Sequence, residues 1–507
     1  MARQAVYPVI AVKLVHGNMP HITSFEAVRE LGKFLAGAGY DLAHIAGELD
    51  LGDLPHGNGK NRQILLYKTE GRTPLHLLAR LFYAGEPVET GVCRFVLSDA
   101  ILSALLETAL VEEHEDRLQP LCTLIPFRNR IIACDGPARR KGHSDVVLGP
   151  SASTDLLSRF SIHSPSVATL DFGTGCGFLA LEAAAYSDSV VATDINPRAI
   201  SFTGFNAALN DIRNLTAIGG DFLAPVTGRR FTRILANPPF FLTPVRHYTY
   251  SDSPMELDGF CRQLAREAPQ FLEEGGFFQM TAEWVQIKGQ SWQARLREWT
   301  DAVPCDVMVI STAQYSPVQY TEIRVGETYD LMGAIPDGTV EQRMAYFRDR
   351  SVELIAGGVI TMRRRTGANW FVTLPCQSSG FVGPAILRRF EALDYVASRS
   401  ETEILQSYYR VADGVELQEK KLLGAGGWLV DSIRMNSLSG LGDTLRLDEI
   451  VARFIPLFDG GRTVEQVADL VSGELSWAPD LAHQRSVALT RRLLQSGFLM
   501  ECPKTCA

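Results

Sequence analysis

None of the nine cysteines in this 507-residue chain stands in a Cys-x-x-Cys pair, and their number is odd. The usual zinc and thioredoxin-like spacings are absent, and no other group of metal ligands stands out, so no metal is expected. Cysteines scattered through so long a chain match a reducing cytoplasm better than a secreted disulfide framework. No stretch reaches the roughly 18 uncharged apolar residues of a membrane span, so no membrane partner is expected. Residues 5–15 are moderately apolar, yet Lys13 interrupts them and no small-residue cleavage site follows. A structured segment is expected there rather than a leader. Positive charge is in deficit: 49 Lys and Arg against 58 Asp and Glu leave a net −9. That balance mildly disfavours a bare nucleic-acid binder but leaves room for a local basic patch. Low-complexity tracts and internal repeats are missing too.

What is present is ordinary globular composition, 46% hydrophobic and 21% charged. The length accommodates roughly two to four domains. From about Ser24 to Glu113 apolar residues recur at three- and four-residue steps, as in Phe25, Val28, Leu31 and Leu35, or Leu97, Ile101 and Leu105, which predicts helices. Turn-rich breaks at 51–59 and 87–91 punctuate them. Leu121 to Pro126 and Arg130 to Ala133 read as strands. The basic run Arg139-Arg140-Lys141 that follows either meets an anionic substrate or is simply solvated.

From Val167 strands and helices alternate, the pattern of a parallel sheet covered on both faces. The predicted strands are Val167 to Phe172, Val190 to Ile195, Leu215 to Ile218, Phe231 to Ala236, Phe277 to Thr281 and Val307 to Ile310. Between them lie predicted helices over Phe178 to Tyr186, Pro197 to Leu209 and Leu257 to Leu272. Val340 to Ile355 reads as a further helix. Val359 to Met362 and Trp370 to Leu374 read as a hairpin around Thr366-Gly367. Arg363-Arg364-Arg365 at that hairpin is either a phosphate contact or a solvated tip. Helices are again expected over Ala385 to Tyr409, Leu447 to Phe458, Val464 to Leu470 and Ser486 to Ser496.

Four strand ends carry chemistry. After the first comes Asp171-Phe-Gly173-Thr174-Gly175-Cys-Gly177, opening a helix. Glycines at alternate positions let backbone turn tightly and approach a ligand beside a helix N-terminus. A dinucleotide fingerprint is spaced G-x-G-x-x-G. The G-x-G-x-G here suits the methionine part of S-adenosylmethionine. Asp194 ends the second strand, where a carboxylate can accept from both ribose hydroxyls; the plainer alternative is a carboxylate at a helix start, since Ile195-Asn196-Pro197 begins one. Gly220-Asp221-Phe222 follows the third strand, with a carboxylate for an adenine amino group and a ring to flank the base. Asn237-Pro238-Pro239-Phe240 follows the fourth. Its prolines fix the backbone and remove donors, leaving the Asn237 side-chain oxygen and the Pro238 carbonyl as rigid acceptors for an amino group. Phe240 offers a stacking face to a planar acceptor. His247, Tyr248 and Tyr250 come next and either line the substrate pocket or anchor a surface loop. Trp284, after the fifth strand, is expected in the core.

These four sites together resemble the small-domain type of class I S-adenosylmethionine-dependent N-methyltransferases. That group includes release-factor glutamine, ribosomal RNA guanine and tRNA adenine methyltransferases. The resemblance covers about residues 144–375. It implies an α/β, Rossmann-like seven-stranded sheet whose last strand is antiparallel, and S-adenosylmethionine as cofactor. It also implies cofactor contacts from Asp171, Gly173, Thr174, Gly175, Gly177, Asp194, Ile195, Asp221, Phe222 and Asn237, with Asn237, Pro238, Pro239 and Phe240 as the catalytic acceptor motif. The expected organisation is a helical N-terminal domain (1–115), a β-rich connector and cofactor-covering segment (116–165), the methyltransferase domain (166–376) and a mainly helical accessory domain (385–507). That last domain faintly resembles a winged helix, a module that binds nucleic acid, peptides or partner proteins.

Three acceptor classes follow: a base amino group in RNA or DNA, a glutamine or other amide of a protein or peptide, and a small-molecule amine. Phe240, where the glutamine and tRNA branches more often carry Tyr, and the basic loops lean towards nucleic acid, RNA in particular. The acidic balance and a peptide-reading tail keep the second class close. A cofactor-binding scaffold without turnover is disfavoured by the intact Asn-Pro-Pro-Phe. A nicotinamide oxidoreductase is disfavoured by the glycine spacing.

Overall fold

A computed structural model describes residues 19–48, 62–70, 73–136, 139, 143–332, 335–376, 380–438 and 440–502. The segment 5–15, the break at 51–59 and the pair Arg140-Lys141 lie outside them. No helix among the described residues is long and apolar enough to cross a membrane.

Runs of aliphatic and β-branched residues form a central sheet of eight strands: β1 (Ser166–Phe172), β2 (Ser187–Asp194), β3 (Leu215–Gly219), β4 (Phe231–Ala236), β5 (Leu272–Ile287), β6 (Cys305–Tyr315), β7 (Val352–Arg364) and β8 (Phe371–Pro375). Their spatial order is β3-β2-β1-β4-β5-β7-β6-β8. All neighbouring pairs are parallel except those made by β7, which runs antiparallel between β5 and β6. The expected Rossmann-like sheet with one antiparallel strand is therefore present, extended by an eighth strand.

The helices that frame the site are α1 (Ala152–Phe160), α2 (Phe178–Ala183), α3 (Pro197–Leu209), α4 (Gly259–Glu267), α5 (Trp292–Thr300), α6 (Pro317–Met332) and α7 (Thr339–Asp349). They cover both faces. One core joins Phe178, Leu181, Phe202 and Phe205 to the N-terminal helices through Val28, Leu31 and Leu35. The other packs Leu170, Ile234 and Met280 against Leu264 of α4 and Leu296 and Trp299 of α5. Buried Trp284 belongs to this second core, tilted against Trp292 with ring centres 5.6 Å apart. Local chemistry starts α3 as expected: Pro197 opens it, and the Asn196 side chain accepts from the Arg198 amide at 3.0 Å.

Several expectations are corrected. Val359 to Met362 and Trp370 to Leu374 do not form a hairpin. Both edges of β7 are already occupied by β5 and β6, so β8 pairs in parallel with the far edge of β6. The helix expected over Val340 to Ile355 ends at Asp349; Ser351 turns at φ +52° and β7 begins at Val352. The helix expected to reach Leu272 tightens after Glu267 into a 3-10 turn, Ala268–Phe271, and β5 then runs on to Ile287. The C-terminal region is less helical than expected. It holds a sheet of Asp459–Thr463, Tyr408–Val411 and Leu499–Cys502, and a meander of Val415–Gly424, Gly427–Ser437 and Thr444–Leu447.

The connector is strapped to the sheet layer. Cys122–Phe127 and Arg130–Asp135 pair antiparallel. Two asparagines of α3 and its end, Asn206 and Asn210, bond the Ala133 and Ile131 backbone at 2.8–3.1 Å, completing an edge that would otherwise lack partners. The N-terminal helix Phe25–Gly37 reaches the same helix so closely that a Cβ at Gly32 would run into the Leu209 carbonyl oxygen. Gly32→Ala is expected to cost about 1–3 kcal/mol through overpacking. Gly37→Ala, which meets open space, should cost nothing. Urea unfolding of the two variants tests the contact; equal stabilities would refute it.

Candidate active site

Sheet register brings the four motifs to one edge. Phe172 of β1 pairs with Ala236 of β4, so the glycine turn and Asn237 leave neighbouring strands side by side. Asp194 pairs with Gly219, and the Gly220 amide donates to the Asp194 carbonyl at 3.0 Å, which sets Asp221 and Phe222 beside Asp194. Met280 pairs with Ala236, which places Thr281 next to Asn237. The strand order reverses between β1 and β4, the place where open α/β sheets bind ligands.

A cavity of about 950 Å³ opens there. Gly173, Thr174, Gly175, Asp194, Ile195, Asp221, Phe222 and the whole run Asn237 to Phe240 line it. Gly173 and Gly175 turn at φ +68° and +56°. No atom lies within 4 Å of a Cβ built at either, so bare backbone faces open space. Two residues expected at the ligand, Gly177 and Asp171, do not line the cavity. Gly177 caps α2 against Thr203. Asp171 is 1% exposed, and its Oδ2 accepts from Thr174 Oγ1 at 2.6 Å and the Ala180 amide at 3.1 Å. It shapes the turn. Burial pushes its carboxyl up to about 7, against the pull of those two donors. Burial also raises Asp194, whose oxygens accept from the Asn196 and Gly175 amides at 2.8 and 2.9 Å. Each oxygen keeps a lone pair for a ligand.

Asn237 is held at both ends. Its Oδ1 accepts from Thr281 Oγ1 at 2.5 Å. Its Nδ2 donates to Ser153 Oγ at 3.2 Å and Thr154 Oγ1 at 3.1 Å, both in the first turn of α1. Three hydroxyl contacts therefore fix the position of the carboxamide at the end of β4. These three hydroxyls escape sequence reasoning: Ser151-Ala-Ser153-Thr154 heading a helix reads only as a cap, and Thr281 reads as one more strand residue.

Beyond Asn237, Phe240 meets Phe241 edge-on with ring centres 5.3 Å apart. Tyr248 and Tyr250, 5.2 Å apart, line the cavity, the first of the two alternatives left open for them. His247 is exposed and does not line it. Their loop is folded onto itself by Asp252, whose carboxylate accepts from the His247 and Tyr248 amides at 2.7 and 2.9 Å. Thr249 Oγ1 donates to the Ser144 carbonyl at 2.7 Å, joining this loop to the covering segment, from which Val146 to Gly149 reach the cavity. Arg324 and Arg343, from α6 and α7, line the cavity too. Arg324 stands 3.5 Å over the Phe241 ring centre and pairs with Glu283 at 3.0 Å and Glu327 at 2.7 Å. Glu283 also accepts from the Tyr320 hydroxyl. Burial raises Glu283 to about 7 despite Arg324. Nothing in the sequence distinguishes these arginines from solvated helix residues.

The family model described as methyltransferase small domain matches residues 150–290. The release factor glutamine methyltransferase of Xylella fastidiosa (strain 9a5c) is 29% identical over 160 residues, 28% of this chain and 58% of that protein. The one from Deinococcus radiodurans is 33% identical over 151 residues, 25% of this chain and 52% of that protein. The chain thus spans between half and three fifths of the relatives' lengths. Among solved structures, ribosomal protein L11 methylase from Lactobacillus delbrueckii subsp. bulgaricus is 25% identical, covering 26% of this chain and 61% of that one at a TM-score of 0.21.

The buried Asp171 sets a pH dependence. Its folded value of about 7 lies above the ordinary 3.8, so the fold prefers it protonated. The cost of ionising it is absent near pH 4 and complete above about pH 7. Asp171→Asn keeps an acceptor and cannot ionise. Its stability should rise relative to the parent chain as pH increases through that window; parallel urea-unfolding curves would contradict this.

Proposed function

We propose that this chain, whose residues 150–290 form a methyltransferase small domain, transfers a methyl group from S-adenosylmethionine to a planar nitrogen, and that the nitrogen belongs to a glutamine side chain of a protein. The observation that carries the reading is the clamped Asn237 carboxamide at the end of β4.

The residues present suit the cofactor. Bare backbone at Gly173 and Gly175 accommodates its methionine part. The half-satisfied Asp194 carboxylate accepts from ribose hydroxyls. Ile195, 65% exposed beside it, and Phe222 flank an adenine ring, with the exposed Asp221 in reach of its amino group. Bound there, S-adenosylmethionine supplies a methyl group on a sulfonium that leaves as a neutral thioether. The protein supplies position. Asn237 Oδ1, with one lone pair given to Thr281, accepts one N–H of the acceptor amide, and the Pro238 carbonyl accepts the other. Two acceptors raise electron density on an otherwise delocalised nitrogen and direct its lone pair. Phe240 supports the planar group. Once methylated, the nitrogen gives up one proton to water.

Among the described residues, the members of the basic runs that leaned towards nucleic acid are already engaged. Arg363 and Arg365 are held by Asp306 and Asp394 at 2.5–3.0 Å, Arg364 donates to the Pro269 and Gln270 carbonyls, and Arg139 pairs with Asp145. The relatives' identity as release factor glutamine methyltransferases supports a glutamine amide.

Asn237→Ala should lower kcat by roughly 10²–10³-fold, the usual effect of removing a positioned polar group at the reacting centre. Affinity for S-adenosylmethionine, measured by calorimetry, should change by less than about tenfold. An alanine variant that transfers methyl at the parental rate would refute the assignment.

A further inference from the structure

Of the three arginines that line the cavity, Arg324 is matched by carboxylates, and Arg343 and Arg246 have no ion pair among the described residues. Arg324 lies between Glu283 and Glu327, Arg198 bonds Asp135, and Arg295 pairs with Asp258 at 2.6 Å. Arg343 is as buried as these, 8% exposed, and lines the cavity from α7. Yet among the described residues its guanidinium has one hydrogen bond, from Nη1 to the Leu242 carbonyl at 3.2 Å, and no carboxylate in ion-pair range. A buried guanidinium without an anion is expensive to keep, and removing the anion from such a pair is strongly destabilising. Arg246, on the loop after Asn237, lines the same cavity and also has no ion pair among the described residues.

Resting on the glutamine reading above, we propose that Arg343, assisted by Arg246, forms an anion subsite of this cavity that takes a carboxylate carried by the acceptor protein near its target amide. The chemistry favours a carboxylate over a phosphate. A guanidinium presents a planar fork of donors that matches one carboxylate. The same walls carry Glu327 and Asp252, whose charge resists a dianion. Asp252 and Glu327 favour the Arg343 charge from a distance, but among the described residues neither comes within ion-pair range of it; Asp252 is held instead by the His247 and Tyr248 amides and the Ser251 hydroxyl. Glu327 is taken by Arg324. Both helices that build this wall lie beyond residue 290, outside the matched segment. Arg343 is thus carried by a part of this chain outside the matched segment, whereas Arg246 lies within it.

The test compares glutamine peptides that differ only in flanking residues, Asp or Glu in one set and Asn or Gln in the other, as methyl acceptors for the full chain. The acidic set should show a KM lower by about tenfold or more, the worth of a hydrogen bond to a charged group. Arg343→Gln should abolish that preference, and Arg343→Lys, which keeps the charge without the fork, should retain part of it. Equal KM values for the two peptide sets, or a preference that survives Arg343→Gln, would overturn the subsite. If neither set is methylated, the glutamine reading fails, and the subsite is judged separately by N-acetylglutamate as a probe. N-acetylglutamate should raise the unfolding temperature of the parent chain and not that of Arg343→Gln. No shift, or an equal shift in both, overturns the subsite. A larger shift with inorganic phosphate at the same concentration overturns the choice of carboxylate.

Discussion

The parallel pairing of Phe172 with Ala236 sets everything else in the site. One strand ends in a turn that only glycines can make, and its neighbour ends in Asn-Pro-Pro, where the backbone has few alternatives. A slip of one residue would turn Asn237 to the opposite face of the sheet. The pairing of Met280 with the same Ala236 extends the constraint to a third strand and delivers the hydroxyl of Thr281. The proposed reacting centre is thus built on a rigid sheet, and its precision comes from backbone register more than from side-chain packing.

Burial adds a second layer. Asp171 and Glu283 sit behind the two ends of the cavity, and desolvation raises both carboxyls to about 7. Their work is structural. Asp171 ties the glycine turn to the start of α2, and Glu283 ties β5 to Tyr320 and Arg324 of α6. Raised carboxyls often mark catalytic groups, but here neither lines the cavity. The proposed methyl transfer needs oriented acceptors rather than a strong base.

Much of this was legible in the chain. The β1 to β4 strands were placed within a few residues because they are apolar runs closed by Gly, Asp or Pro. Their end motifs converge because a parallel sheet must bring them together. What escaped had physical reasons. The hairpin Val415–Ser437 leaves nearly all of Val415–Gly424 in solvent, so it carries no period-two burial signal. The eighth strand was misread as a hairpin partner because sequence shows proximity along the chain and not which sheet edge is free. The clamp on Asn237 was invisible because Ser153 and Thr154 stand some 80 residues away. Arg343 and Arg324 were invisible because an arginine on a helix is ordinarily solvated.

The most direct measurement is the position of the transferred methyl group. An extract incubated with the protein and methyl-labelled S-adenosylmethionine would be separated into protein and RNA, and the labelled material sequenced by tandem mass spectrometry. The account predicts label on a glutamine side-chain nitrogen of a protein. Label confined to RNA bases, or found on protein at residues other than glutamine, would contradict it.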